Sequence, residues 1–145
     1  MSEKRADANG MSWSTGEGLL EVSDPKVVDR AFACGEPHVG IAVVGLSLNN
    51  PDPDEVAPRI VRATLSVDRE TRRLGFVALG HFVRINRRIT PELAGALRDS
   101  ASDGISETAL DDTLSYVPFR RLPPWLKVRF VADRLEWIFS ERWKG

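Results

Sequence analysis

The stretch RETRRLGFVALGHFVRINRR, residues 69–88, decides the fold. Between Leu74 and Val83 only Gly75, Gly80 and His81 stand outside the apolar set, so no polar face interrupts the run. A central β-strand also reads as an unbroken apolar run. Strands, however, extend for roughly four to eight residues, whereas this segment is far longer and is flanked by arginines. It is read as a helix buried on most sides, and as the most hydrophobic segment of the chain.

Outward from it, every neighbouring segment carries helix punctuation. Ser23-Asp24-Pro25 and Asp52-Pro53 are cap-plus-proline starts, and Thr90-Pro91-Glu92 repeats the device. The cap oxygen satisfies a free backbone N–H, and a proline in the first turn lacks the N–H that would otherwise be orphaned. Glu36-Pro37 opens a helix through Ala42, Val43, Leu46 and Leu48, which Asn49-Asn50-Pro51 ends. Val56, Ile60, Ala63 and Thr64 share one helical face. Ser102-Asp103-Gly104 leads into a helix reaching Val117, Pro118, Pro123 and Pro124 break the chain, and a long helix runs from about Trp125 to Trp143. Seven helices and no strand make the fold all-α. Residues 1–18 are polar and aperiodic, and are expected to be a mobile N-terminal tail with Trp13 as its only anchor. Residues 19–145 then form a single domain.

Composition sets the outer bounds. The 145 residues carry 20 Lys+Arg against 21 Asp+Glu, and 42% are hydrophobic, the profile of one soluble globular domain. The lone Cys34 excludes an internal disulfide and a multi-cysteine zinc site, and the two histidines, His38 and His81, lie far apart. No metal or cofactor is expected. With no apolar run long enough for a membrane span or a signal peptide, the expected location is the cytoplasm, with no membrane partner.

Charge is neutral only in sum. Residues 1–58 carry net -6, residues 59–88 net +6, residues 89–112 net -5 and residues 113–145 net +4. Separate acidic and basic faces are expected. The basic residues are 16 Arg and 4 Lys, which suits bidentate pairing with carboxylate or phosphate. A GC-rich genome gives the same bias without a function.

The acids Glu36, Asp68 and Asp103 each open a helix preceded by a shorter one, at spacings of 32 and 35 residues. A period in this range with paired helices is the mark of an α-solenoid, whose pairs must stack because none can bury its own apolar face. The repeats are placed at about residues 24–50, 52–88 and 90–117, with a capping helix at about 123–143.

Glu36-Pro37-His38-Val39 and Asp68-Arg69-Glu70-Thr71-Arg72 resemble the Asp-Pro-x-Val-Arg start of the second helix in HEAT repeats. The stretch from Arg72 to His81 resembles its bacterial continuation, Arg-x-x-Ala-x-x-Ala-Leu-Gly-x, and Ala109-Leu110-Asp111-Asp112 is similar to a common end of such arrays. Arg69, Thr71 and Gly40 depart from the pattern, standing where it has proline, valine and arginine. The resemblance covers roughly residues 24–117. It implies a short right-handed α-solenoid of about three HEAT-like helix pairs with a long C-terminal capping helix. Short bacterial proteins of this type also resemble immunity proteins of polymorphic toxin systems. That implies a non-catalytic protein-binding module whose cognate partner is a toxin, occluded by the concave or acidic face. A nucleic-acid-binding repeat protein and a scaffold or regulatory subunit are the alternatives.

No sequence-local catalytic signature is present: no Gly-x-Ser-x-Gly, Gly-rich phosphate loop, His-Glu-x-x-His or dinucleotide fingerprint. Arg69, Arg73, Arg84, Arg87 and Arg88 gather toward one side of the 69–88 helix, with Arg59 and Arg62 on the helix before. An acidic protein or a phosphate backbone could dock there; alternatively, these arginines pair with acids of adjacent repeats. His81 is read as a buried imidazole hydrogen-bonded to Asp112, a pair that fixes the stacking of two repeats and raises the histidine pKa. Glu107, Asp111 and Asp112 are read as a solvated acidic face, and Cys34 as a small buried or idle residue. In the final helix, Val128, Val131, Leu135 and Ile138 form a stripe expected to pack on the last repeat. Trp137 and Trp143 fall off that stripe as candidate partner or homodimer anchors.

Overall fold

The computed structural model describes residues 10–100 and 104–143, of Trp143 the backbone alone. Seven α-helices follow one another: α1 (Pro25–Ala33), α2 (Val39–Asn49), α3 (Pro53–Thr64), α4 (Arg69–Asn86), α5 (Pro91–Asp99), α6 (Glu107–Tyr116) and α7 (Pro124–Trp143). Short 3-10 turns at Leu19–Glu21 and Phe119–Arg121 complete the order, and no strand occurs among the described residues. The expected helices are all present.

Local chemistry sets most of the boundaries. Asp24 accepts from the Lys26 N–H at 2.9 Å, Asp52 from Asp54 at 3.0 Å and Thr90 from Leu93 at 3.2 Å, each with a proline in the first turn. Asp68 starts α4 by accepting from both the Thr71 N–H at 3.0 Å and its hydroxyl at 2.7 Å. The expected role of Glu36 is not found. His38, in the left-handed region at φ 62°, caps α2 three residues before Ile41, while the Glu36 N–H closes the end of α1 on Ala31 O. Ser106 precedes α6, and Asp103 lies outside the described residues. Of the three periodic acids, therefore, Asp68 alone is seen to cap its helix.

The helices meet in two rows. α1 contacts α3 and α3 contacts α5, while α2 contacts α4 and α4 contacts α6. Cross-row contacts join α1 to α2, α2 to α3 and, most extensively, α3 to α4. The core between them holds Val43, Leu46, Ile60, Phe76, Leu79 and Phe82, all essentially inaccessible to solvent. Gly75 permits the close crossing of α3 and α4, since a Cβ there would lie 2.8 Å from Thr64 N and 3.0 Å from Ala63 C. Contrary to expectation, α2 is the more completely buried helix. It carries no charge, and Val39 to Ser47 are buried except for Ile41.

The ends differ from the reading of the sequence. Residues 10–18, assigned to the tail, form a hydrogen-bonded turn (Ser12 N–H to Glu17 O, Gly16 N–H to Ser12 O, both 2.8 Å) that buries Met11 and Trp13. Two apolar anchors in nine residues make this segment part of the core, while residues 1–9 lie outside the described residues. At the other end, Leu126 of α7 is fully buried and Trp125 and Phe130 are partly so, but every residue from Arg134 to Arg142 is exposed. The stripe Val128, Val131, Leu135 and Ile138 does not pack on the last helix pair. It faces solvent, with Val128 69% exposed.

Candidate functional site

The first turns of α4 place Arg69 and Arg73 on one side, followed along the helix by Phe76, Val77 and Arg84; the turn before α6 brings Ile105, and α6 itself Thr108, Ala109 and Asp112, opposite them. These residues line a cleft of about 430 Å³. Its floor is apolar and its rim is guanidinium, with one carboxylate, Asp112, at the far end. The spacing explains the juxtaposition: positions 69, 73, 76 and 84 recur at intervals that keep to one helical face, as do 108, 109 and 112.

Gly80 sets how deep Asp112 sits. A Cβ at position 80 would lie 2.6 Å from Asp112 Oδ2, so only a glycine lets the carboxylate rest on α4. Asp112 is 18% exposed there and accepts from Arg84 Nη2 at 3.4 Å, a long contact. Among the described residues no hydrogen bond joins Asp112 to His81. The expected pKa change is also reversed: burial lowers the His81 pKa from its ordinary 6.5, the charge of Arg84 adds to the effect, and Asp112 opposes it only in part. The carboxylate pairs with the nearby guanidinium, a fixed cation, and not with the imidazole, whose pKa burial lowers.

The arginines divide by partner. Arg73 holds Glu70 through two hydrogen bonds, at 3.0 and 2.5 Å, which lowers the Glu70 pKa. Arg69 makes no ion pair among the described residues. Arg87, which ends α4 in the left-handed region at φ 55°, places its guanidinium 5.0 Å from the Tyr116 ring, and Arg84 approaches the same ring at 5.9 Å. Arg88 turns away to Asp54 on α3, at 3.2 Å. Arg59 forks onto Asp29 of α1 at 3.0 and 2.7 Å, lowering that carboxyl's pKa, while Arg62 stacks on Phe32 at 4.6 Å. The structure thus brings Arg69, Arg73 and Arg84 together and assigns Arg59, Arg62 and Arg88 to holding helices to one another.

The remaining candidates are scattered. Glu107 and Asp111 are exposed, and no group of three or more metal-ligating side chains occurs among the described residues. Cys34 is exposed and not buried, at the C-terminal end of α1. Trp137 is 63% exposed on α7, and the Trp143 side chain lies outside what the structure describes. Phe119, in the turn before α7, is a surface residue missed in the sequence. It is 45% exposed, stacks on Phe130 at 5.5 Å and borders the solvent-facing stripe of α7. The prolines on either side of it, Pro118 and Pro123, were the available signal that a short rigid turn would present it. No helix among the described residues is long and apolar enough to cross a membrane. No protein family, curated protein or solved structure matches the chain.

Proposed function

We propose that this chain is a non-catalytic protein-binding module that takes an acidic segment of a protein partner into the α4–α6 cleft, and that its role is of the immunity type, neutralising a cognate toxin by occlusion. The observation that carries the binding reading is the cleft itself, which sets Arg69, Arg73 and Arg84 around the apolar floor of Phe76 and Ile105. An apolar floor with a cationic rim suits a peptide segment bearing carboxylates beside a hydrophobic side chain. The toxin assignment rests on the resemblance of the helix starts to HEAT-like repeats. The row-on-row contacts of α1–α3–α5 and α2–α4–α6 support reading the body as a short solenoid, to which the resemblance adds the right hand and the capping role of α7.

Capture with the product of an adjacent toxin-like gene tests this reading. One protein held stoichiometrically, insensitive to nuclease and weakened about tenfold or more by Arg69→Glu, is the expected result. Arg69 forms no ion pair among the described residues, so its reversal leaves the fold intact. Binding to nucleic acid alone, with affinity falling steeply as salt rises, would transfer the cleft to the phosphate-binding alternative. Binding unaffected by Arg69→Glu would remove the partner from the cleft.

A further inference from the structure

The solvent-facing stripe of α7 lies outside the cleft and serves another purpose. Val128, Val131, Leu135 and Ile138 recur at spacings of three, four and three residues, the period of a two-helix seam. They are 69%, 46%, 49% and 47% exposed, and Phe139 and Phe119 flank them at 56% and 45%. Together these side chains offer on the order of 500 Å² of apolar surface, at the upper end of what a monomer leaves uncovered. Stable interfaces cover about 800 Å² per partner, some 60% of it apolar, so the stripe supplies the apolar share of one complete interface.

We infer that a second copy of this chain covers the stripe, with the two α7 helices antiparallel. In that register Val128 packs against the second copy's Ile138 and Val131 against its Leu135. Lys127 on the flank then meets the second copy's Glu141, once at each end. A parallel pair would instead set each seam position against itself and bring Arg142 against Arg142 at the next seam position. Arg134, on the flank at the centre of the antiparallel pair, lies over its own Phe130 ring at 5.1 Å, as Lys127 lies over Phe119 at 5.7 Å. The arrangement also places each copy's exposed helix end, residues 134–142, against the anchored end of the other. This inference is independent of the cleft, whose residues the seam does not use.

Sedimentation equilibrium on the full chain provides the test. The expected mass is twice 16.1 kDa. Leu135→Asp should shift the dissociation constant at least a hundredfold while leaving helix content and thermal unfolding of the dilute protein unchanged, since Leu135 supports no core in the single chain. Lys127→Glu and Glu141→Lys should each weaken self-association about threefold to tenfold at low salt, and combining them should restore it. Trp137→Ala, off the seam, should leave the mass unchanged. A single-chain mass at about 100 µM, or a dimer indifferent to Leu135→Asp, would overturn the proposal. So would failure of the double charge reversal to restore what the single ones remove.

Discussion

α4 and α7 are the two longest helices, 18 and 20 residues, and both carry apolar side chains on more than one side. α4 is enclosed by α2, α3 and α6, and buries Phe76, Leu79, Phe82 and Val83 almost completely. α7 buries Leu126 and then exposes Val128, Leu135, Trp137, Ile138 and Phe139. Two glycines in α4 admit close neighbours, Gly75 the end of α3 and Gly80 the carboxylate of Asp112, whereas α7 has no glycine and its far half, residues 134–142, is exposed. An apolar stripe says which side of a helix needs covering; it does not say which chain supplies the cover.

Substitution breaks or sharpens this contrast. Phe82→Ala in α4 should cost about 3–5 kcal/mol through lost burial and a cavity. Phe139→Ala in α7 should stay within about 0.5 kcal/mol in dilute protein. Equal losses in thermal or denaturant melts would erase the distinction. A smaller contrast follows from added volume. Gly75→Val should destabilise by about 1–3 kcal/mol, because the atoms it meets, Thr64 N and the Ala63 C and Cβ, are backbone or fixed to it and cannot move aside, while Ala132→Val on exposed α7 should be close to neutral. Asp68→Ala removes the acceptor for two hydrogen bonds at the start of α4 and should cost about 1 kcal/mol by chemical denaturation.

The smallest effect is a pH dependence. His81 in the folded chain has a pKa below its ordinary 6.5, so the unfolded chain binds its proton first as pH falls. Its contribution to stability is complete above 6.5 and declines as pH drops from there toward the folded value. Asp29, Asp68 and Glu70, whose pKa values are also lowered, lose their contributions only at more acid pH, below ordinary values of 3.8 and 4.5. His81→Gln should therefore flatten the stability profile just below pH 6.5 and leave the acid limb in place. An unchanged profile would show that the imidazole is free to protonate in the folded chain.

What the sequence revealed and what it withheld follow from the range of the interactions concerned. Asp24-Pro25, Asp52-Pro53, Asp68 and Thr90-Pro91 mark helix starts through contacts within three residues, so they are legible without the fold. Glu36 shared the spacing of Asp68, but spacing alone does not make a cap; there a left-handed His38 took the position. The cleft was half legible. Periodicity placed Arg69, Arg73 and Arg84 on one face of α4, yet which of seven arginines would be engaged by Asp29, Phe32 or Asp54 depended on α1 and α3. Asp112 is 18% exposed and pairs with Arg84, where the sequence offered both a bond to His81 and a solvated acidic face; that choice is a matter of distance that no pattern records. Trp13 was legible as an anchor, but Met11 beside it was not, because a polar, glycine-containing loop looks the same whether or not its apolar side chains find a pocket.

One consequence of the fold concerns time. Among the described residues Leu126 is the last buried one, so every core side chain has been synthesised before the exposed part of α7 follows. Domains tend to fold as units while the chain is made, and transiently uncovered apolar surface is the usual cause of aggregation at that stage. Here the body has all of its own material before the adhesive stretch is added, so nascent chains meet through that stretch only after their interiors can close.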